Sequence, residues 1–287
     1  YPTWVGTSPP PKEITPTHPF WIWTYADYAD WPPDAENKWA AWRHWNRAGQ
    51  PMNLSENYLW ASPGVDLVRD HVVAVVDDLV SRYPVDGIHL DLVRYAGVDY
   101  SYDPLSNAAI GGQKTPERDQ WQRDRVTDLV RRVYTTTAVM RPDAWVTVAV
   151  WPYYDDPWGW GLWTGYDKLY QDSKGWLAAE VVDGIAPMLY GSGDSIPDDL
   201  AKWETLTADF LVDAAGRDVY PGIGAYYADF AEIETRIWAA RGLGAPGHAL
   251  FSYGALDTLD YWDDLAAGPY AQPAKIPPRG SEDVYAK

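Results

Sequence analysis

Three aspartates stand where apolar stretches of the chain give way to polar and aromatic residues, which makes them candidates for acid–base chemistry. Asp91 lies near the end of VDGIHLDLVRY (85–95), two residues after His89. Asp155 and Asp156 follow the apolar run WVTVAVW (145–151), in a Trp-rich segment. A pair of carboxyl groups can carry out acid–base chemistry when one is ionised and the surroundings of the other raise its pKa and keep it protonated. The sequence therefore predicts Asp91 as nucleophile or base, and Asp155 or Asp156 as the acid.

A structural role for these acids is also open. A carboxylate inside an apolar strand is costly unless it is paired or hydrogen-bonded. His89 or Arg94 could pair with Asp91 and only brace the fold. Later apolar runs are also followed by aspartates, for which we expect loop or helix-cap roles: Asp194, Asp229 and Asp257.

Aromatic residues accompany the acids in unusual proportion. The chain has 18 Trp and 21 Tyr but only 4 Phe, and Trp and Tyr join a flat apolar face to a polar group. Flat rings stack on the apolar faces of sugars, although partial burial under long loops would also explain many of them. Arg94 and Tyr95, with His89, are predicted to shape the first sugar subsite. The aromatic candidates for sugar binding are Trp151, Trp158, Trp160, Trp163, Tyr190 and Tyr253.

Several other chemistries lack the residues that they need. The absence of Cys excludes disulfides, thiolate metal ligands and cysteine nucleophiles. The five His residues form no HExxH motif, so we predict no zinc site, whereas a calcium site built from loop aspartates stays open. No GxSxG or GxxxxGK[ST] motif is present, and no GxGxxG follows a predicted strand. We therefore predict no serine-hydrolase chemistry and no cofactor.

The charge of the chain limits its partners. Forty-one acidic residues against 23 basic ones give a formal net charge of -18, which repels nucleic acid and anionic membranes. No run of about 18 apolar residues is present, so we predict no membrane span. A carbohydrate without charge is compatible with this field.

Alternating helices and strands must position the candidate residues. Apolar periodicity predicts four long helices, over 63–83, 118–140, 200–214 and 229–241. Strand-like runs begin near residues 85, 145, 181, 219 and 249. The runs are mostly apolar and most lack a clean polar–apolar alternation, which is typical of parallel strands buried on both faces. In the first strand, alternation would place His89 and Asp91 on the face opposite to Ile88 and Leu90.

The predicted fold class is α/β, as a (β/α)8 TIM-type barrel. A barrel is favoured because polar or aromatic residues follow each strand, and barrel active sites lie at the carboxyl ends of the strands. Five firm strands and a weak one at 58–60 fall short of eight, so we expect the first two or three βα units to be absent from this chain. An N-terminal fragment or a companion chain would then supply them. The expected domains are a Trp/Pro-rich cap (1–63), the βα units (64–262) and a Pro-rich tail (263–287).

Several segments resemble the family 10 glycosyl-hydrolase-like proteins, a group with TIM barrels. DGIHLDLVRY (86–95) is similar to the family strand DGIHLDxxRYP, with Ala96 in place of the usual Pro. Ala61 and Ser62 depart from the family pattern before Pro-Gly, but Asp91 is unaffected. The likeness runs from about the family's third strand to its C-terminus. The further matching segments, in chain order, are ASPG with VRD (61–70), WQRDRVTDLV (121–130), VDGIAPMLY (182–190), PGIG (221–224) and FSY (251–253).

The resemblance implies a glycoside hydrolase that acts on a polysaccharide, such as a bacterial cell-wall glycan or an exopolysaccharide. Such a substrate would place the protein outside the cell or at the cell surface. The alternative is a carbohydrate-binding or scaffolding protein on a degenerate barrel, which would keep the aromatic residues but lack a working acid pair.

Overall fold

The chain divides into two compact units whose segments interleave. The computed structural model describes residues 2–4, 42–52, 58–191, 196–227 and 229–274, with backbone only at 2–4 and 58–59. Unit 1 comprises Tyr1–Val85, Leu92–Pro142 and Tyr166–Asp172, and unit 2 comprises Asp86–Asp91, Asp143–Gly165 and Ser173–Lys287. This division differs from the three consecutive domains expected above. The expectations for 5–41, for Asp194 and for 275–287 lie outside the described residues.

The predicted helices and strands are found close to their expected positions, with several short helices added. The strands are β1 (Pro2–Trp4), β2 (Tyr58–Trp60), β3 (Gly87–Leu90), β4 (Trp145–Val150), β5 (Gly184–Pro187), β6 (Asp218–Val219), β7 (Gly222–Gly224) and β8 (Ala249–Phe251). The helices are α1 (Asp66–Arg82), α2 (Pro104–Ile110), α3 (Pro116–Met140), α4 (Gly165–Lys168), α5 (Ser173–Ala178), α6 (Leu200–Val212), α7 (Phe230–Gly242), α8 (Tyr253–Leu259) and α9 (Trp262–Ala267). None of these helices is long and apolar enough to cross a membrane.

Unit 1 is built on the packing of α1 against α3. Buried Arg69 of α1 links them, because its Nε donates to Asp128 of α3 at 2.9 Å. α1 was expected to begin at residue 63, after a cap at Ser62, but it begins at Asp66. The Ser62 hydroxyl instead donates at 2.8 Å to the buried carboxylate of Asp103, which caps α2 by accepting from the amide of Ser106. The weak strand at 58–60 is confirmed as β2, which pairs antiparallel with β1.

Unit 2 contains parallel strands in chain order. One sheet has the order β3-β4-β5-β6, and β7 pairs in parallel with β8. The amide of Tyr220 donates to Ile185 of β5, and the carbonyl of Pro221 accepts from Ala249 of β8. β6 and β7 are therefore parts of one strand that is interrupted where Pro221 lacks an N–H. The five predicted strands are confirmed, and their order lacks the reversal of a doubly wound sheet.

The sheet of unit 2 has one covered and one open face. The covered face is fully buried and aliphatic: Val146, Val148, Val150, Ile185 and Val219. The open face carries His89, Thr147, Gly184 and Asp218, which are paired in register across β3, β4, β5 and β6. The predicted alternation of β3 is thus found at His89, which is exposed.

The end of unit 2 continues as helix beyond the expected tail boundary. α9 continues to Ala267, although the Pro-rich tail was expected to begin at residue 263. The predicted start of the tail was therefore wrong. Leu265 explains the difference, because it is buried in a core cluster with Leu256 and Tyr261. Burial of an apolar side chain contributes about 1.5–3 kcal/mol, which helps to hold this short helix on the core.

Candidate functional site

The carboxyl end of β3 presents two predicted site residues to solvent. His89 and Asp91 are both exposed, and His89 Nδ1 lies 2.8 Å from the Thr147 hydroxyl on β4. Desolvation of the ring lowers the pKa of His89, while the negative charge of Asp91 acts in the opposite direction. The imidazole is therefore neutral at neutral pH. Beside the carboxylate of Asp91 it can donate one hydrogen bond and accept another.

The backbone directly after Asp91 is strained. Leu92 has φ of 55°, a left-handed conformation that costs a residue with a Cβ about 1–2 kcal/mol. Strain of this kind collects at functional sites, where the surrounding structure enforces it. The sharp turn ends the strand at Asp91 and leaves its carboxylate at the strand's end.

A second carboxyl group on the open face was missed by the sequence analysis. Asp218 accepts a 2.6 Å hydrogen bond from the hydroxyl of Tyr220. Burial raises the pKa of Asp218, and the negative charge of Asp183 adds to the effect. Asp218 is the first residue of β6, whereas Asp91 follows the last residue of β3, so the two carboxyl groups lie at opposite ends of the parallel strands. The strand was predicted to begin one residue later, and extending its alternation back from Tyr220 would have found Asp218.

Asp156 organises the loop after β4. Its carboxylate accepts hydrogen bonds from the amides of Trp160 at 2.9 Å, Gly161 at 2.8 Å and Leu162 at 3.1 Å. Desolvation alone would raise the pKa of Asp156, but the backbone amides outweigh it and hold the pKa below its ordinary value. The raised pKa that a catalytic acid needs is therefore not found at Asp156, because these amides stabilise the ionised form.

Asp155 lies close to a charged cluster on the helices of unit 2. Lys174 of α5 pairs with Asp209 at 3.0 Å and with Asp213 at 2.7 Å, and its ammonium lies 5.2 Å from the ring centroid of Tyr154. Burial raises the pKa of Asp209, and the charge of Asp155 contributes to that rise. Asp155 is exposed, which leaves its carboxyl group accessible to a substrate.

The tryptophans of the same loop separate into two pairs. Trp158 and Trp160 stack at 4.7 Å between ring centroids and pack against the core cluster of unit 2, while Lys202 lies 5.5 Å from the Trp160 ring. This environment favours core packing over sugar binding for both. Trp151 donates its indole N–H to the carbonyl of Trp163, whose side chain is 48% exposed. The second pair keeps ring surface available.

Tyr190 and Tyr253 lie at the carboxyl ends of later strands. The ring of Tyr190 is parallel to that of Phe251, with centroids 5.0 Å apart. Tyr253 is the first residue of α8 and is 71% exposed. Its ring lies 5.1 Å from that of Trp262. Each of the two predicted tyrosines therefore packs against a second aromatic ring. The partners, Phe251 and Trp262, were not among the residues predicted from the sequence.

The predicted role of Tyr95 in substrate binding was wrong. Tyr95 is fully buried in unit 1, with its ring 5.3 Å from His44 and 5.4 Å from Tyr170. A glycan could reach it only if this packing opened. Arg94 is half-buried, and its guanidinium lies 5.5 Å from the ring centroid of Trp60.

Of the remaining aspartates, Asp229 has an expected helix-cap role, whereas Asp257 is neither a loop residue nor a cap. Asp229 caps α7 by accepting a 2.9 Å hydrogen bond from the amide of Ala231. Asp257 lies inside α8 and accepts from the indole of Trp262 at 3.4 Å. Among the described residues, no group of three or more His, Asp or Glu is arranged to hold a metal ion.

Comparison with known proteins places the chain in a family. The family described as glycosyl hydrolase-like 10 matches residues 34–238, which include β3, β4, β5 and the loop of Asp155. The chain belongs to this family. The resemblance seen in DGIHLDLVRY and in the other segments between residues 61 and 224 is thereby confirmed.

The relatives are longer than this chain. Glycosyl hydrolase YngK of Bacillus subtilis is 28% identical over 248 residues, which cover 77% of this chain and 48% of that protein. Glycosyl hydrolase DigH of Escherichia coli K12 is 29% identical over 184 residues, which cover 57% and 39%. The chain thus spans about half or less of the length of these curated relatives.

Among solved structures, bee venom hyaluronidase in complex with a hyaluronic acid tetramer has a TM-score of 0.49 and 15% identity, covering 75% of this chain and 79% of that one. A TM-score below 0.5 leaves the fold to be argued from the strands of unit 2 themselves.

Proposed function

We propose that this member of the glycosyl hydrolase-like 10 family is a glycoside hydrolase that cuts a polysaccharide on the open face of the unit 2 sheet. The observation that supports it is Asp91, an exposed carboxylate at the carboxyl end of β3 beside a neutral His89. Parallel α/β sheets bind their ligands at this end of the strands. We place the five strands in a (β/α)8-type barrel because their spatial order follows their chain order.

The proposed chemistry uses Asp91 as the ionised group. It attacks the anomeric carbon or activates a water molecule, while the acid protonates the departing glycosidic oxygen. We assign the acid to Asp155, because the carboxylate of Asp156 is held by three amides of its own loop. His89 orients Asp91 or a sugar hydroxyl through its uncharged ring.

The proposed substrate is a bacterial cell-wall glycan or an exopolysaccharide, and the proposed location is outside the cell or at its surface. The two bacterial relatives are named glycosyl hydrolases, which supports cleavage of a glycan. The choice among glycans rests on the resemblance described in the sequence analysis.

The release of reducing ends from such glycans tests the proposal. Asp91→Asn should lower the rate by about 10²–10⁴-fold, the usual contribution of such a group. Asp86→Asn is the matched control at the other end of β3, where the side chain is exposed and the chain bends into the strand. A wild-type protein that cleaves no glycan, or an Asp91→Asn variant with full activity, would contradict the proposal.

The role of Asp155 has its own test, which uses aryl glycosides of graded leaving-group pKa. An acid is needed only when the leaving group is poor. Asp155→Asn should therefore slow the poor leaving groups strongly and the good ones little, whereas Asp156→Asn should slow all of them alike through the loop. Equal losses for all leaving groups in Asp155→Asn would remove it as the acid.

Carbohydrate binding without catalysis is the second candidate. It is supported by the use of Asp156 as a loop acceptor and by the cluster of Asp155 with Asp209 and Lys174. It predicts that wild type and Asp91→Asn bind the same glycan equally well and that neither releases reducing ends.

We also propose that additional strands complete the sheet of unit 2. Among the described residues, β3 and β8 each pair with one neighbour only, whereas a closed barrel has eight strands without edges. The strands would come from a companion segment or chain. The test compares hydrogen exchange at the β8 amides with and without the polypeptide that carries the additional strands. Slower exchange in its presence would support the proposal, and unchanged exchange would contradict it.

A further inference from the structure

Two glycines on β7 lie beneath tyrosine rings. A Cβ at Gly222 would lie 2.8 Å from Cε1 of Tyr190, and a Cβ at Gly224 would lie 2.8 Å from Cζ of Tyr226. Neither glycine has a positive φ, so the backbone conformation does not require glycine at either position. The space does: at Gly224 a Cβ would meet only the Tyr226 ring, and at Gly222 it would meet the carbonyl oxygen of Pro187 at 2.6 Å as well as the Tyr190 ring. The missing side chains let both tyrosines lie close to the strand.

Phe251 extends this aromatic surface onto β8. It is paired in register with Gly224, and its ring is within 4° of parallel to that of Tyr190. Ile223, between the glycines, is fully buried in the core, so the glycines face the opposite, open side. Tyr190, Tyr226 and Phe251 together are called the aromatic floor.

The aromatic floor is too exposed to be core. Phe251 is 54% exposed and Tyr226 is 38% exposed, although both lie on strands or directly after them. A contiguous exposed apolar patch on a protein surface often marks a site of ligand binding or protein interaction. Because the tyrosine rings lie against the strand at the glycines, the outer faces of the rings are available to a ligand.

The rings are held in place before any ligand arrives. The hydroxyl of Tyr226 donates to the carbonyl of Gly191, and Tyr190 is fixed between Gly222 and Phe251. A preorganised surface loses little side-chain entropy on binding. Flat rings in fixed positions fit a rigid ligand with an apolar face, such as a pyranose.

The charges near the floor favour an uncharged ligand. Burial raises the pKa of Tyr226, and the negative charge of Asp198 adds to the rise. Arg236, which lies 4.7 Å from the ring of Tyr227, is paired with Glu232 at 2.6 Å. With a formal net charge of -18, the chain would repel a sugar acid.

We propose that the aromatic floor is a subsite for an uncharged pyranose ring of the glycan, at a distance from the bond that is cut at Asp91. Asp91 directly follows β3 and Phe251 lies on β8, the two outermost of the five strands, so a glycan that runs along the strand ends from one to the other has several sugar rings. The ligand is therefore an extended oligosaccharide. This inference rests on the proposed function only in taking the ligand to be a carbohydrate.

Equilibrium titrations of the Asp91→Asn variant, which binds without turnover, test the subsite. The uncharged probes are the hexasaccharides of N-acetylglucosamine and of glucose, and the charged probe is a hyaluronate hexasaccharide. Adding Phe251→Ala should weaken binding of the better uncharged probe about tenfold, the value of one aromatic contact. Phe251→Tyr should restore it, and Trp238→Ala, which removes an exposed aromatic on α7, should leave it unchanged.

The results separate this inference from the proposed function. Unchanged affinity in Phe251→Ala, equal binding of hyaluronate, or no binding of either uncharged hexasaccharide would overturn the subsite. A dimer that Phe251→Ala dissociates in sedimentation runs, with unchanged affinity for glycan, would overturn it in favour of a protein interface. Loss of cleavage without loss of binding would instead count against catalysis alone.

Discussion

The two units use aromatic rings in opposite ways. In unit 1, Tyr95 is fully buried between His44 and Tyr170. In unit 2, Phe251 is 54% exposed beside a strand whose glycines make room for two tyrosines. Both sets come from the same Trp- and Tyr-rich composition, and sugar binding was predicted for Tyr95 of the first set and Tyr190 of the second. Burial, which composition does not report, distinguishes a stabilising cluster from a binding surface.

The largest expected effect is on the buried cluster. Tyr95→Ala should lower the free energy of unfolding by about 3–5 kcal/mol, the cost of deleting a buried aromatic ring. Tyr95→Phe is the control, because it keeps the ring. Urea titration measures both. If Tyr95→Ala lost little stability but bound glycan more weakly, Tyr95 would instead be a substrate-binding residue.

A smaller loss is expected where β7 supports the aromatic floor. Gly222→Ala would place its Cβ 2.6 Å from the carbonyl oxygen of Pro187 and against Tyr190, and such overpacking costs about 1–3 kcal/mol. Gly242→Ala, at the end of α7 with open space around it, is the control and should be neutral or slightly stabilising. Equal stability for both variants would show that the floor does not need the glycine.

Acid should destabilise the buried cluster through His44. Burial lowers the pKa of His44 well below 6.5, and neither ring nitrogen has a hydrogen-bond partner among the described residues. Below pH 6.5 the unfolded chain binds a proton that the folded chain does not, so stability falls as pH falls. The loss reaches at most about 1.4 kcal/mol per pH unit for one proton.

The comparison of His44→Phe with wild type between pH 7 and 5 isolates this contribution, because other histidines titrate in both proteins. The variant should show a shallower decline in the unfolding free energy. Identical slopes would mean that His44 is protonated in the folded state or reached by water.

The smallest effect on stability is expected at the floor itself. Phe251→Ala should change the free energy of unfolding by less than about 1 kcal/mol, because over half of the side chain is already in contact with water. Thermal unfolding of Phe251→Ala beside Tyr95→Ala gives the sharpest contrast between the units. Similar losses in both would make the floor part of the core.

Much of the fold could be predicted because it depends on local pattern. The five parallel strands and four long helices follow from apolar runs and periodicity, and all were found. The start of α1 could not be predicted in the same way. Ser62 has the chemistry of a helix cap, but its hydroxyl is used by Asp103, forty-one residues later in the chain.

The candidate site was predictable only in part for a similar reason. Asp91 and His89 were found from one strand, since alternation places both on one face. The role of Asp156 depends on the conformation of its loop, which brings three amides to one carboxylate. The role of Phe251 depends on Gly224, its partner on β7, and on Tyr190, which follows β5. These contacts between distant parts of the chain cannot be predicted from local pattern.

A structure of the Asp91→Asn variant with an uncharged hexasaccharide would test the central claim most directly. The glycan should lie along the open face of the unit 2 sheet, with a glycosidic bond beside residue 91 and a pyranose ring on Phe251. A glycan bound elsewhere on the protein, or one that contacts neither position, would contradict both the catalytic assignment and the subsite.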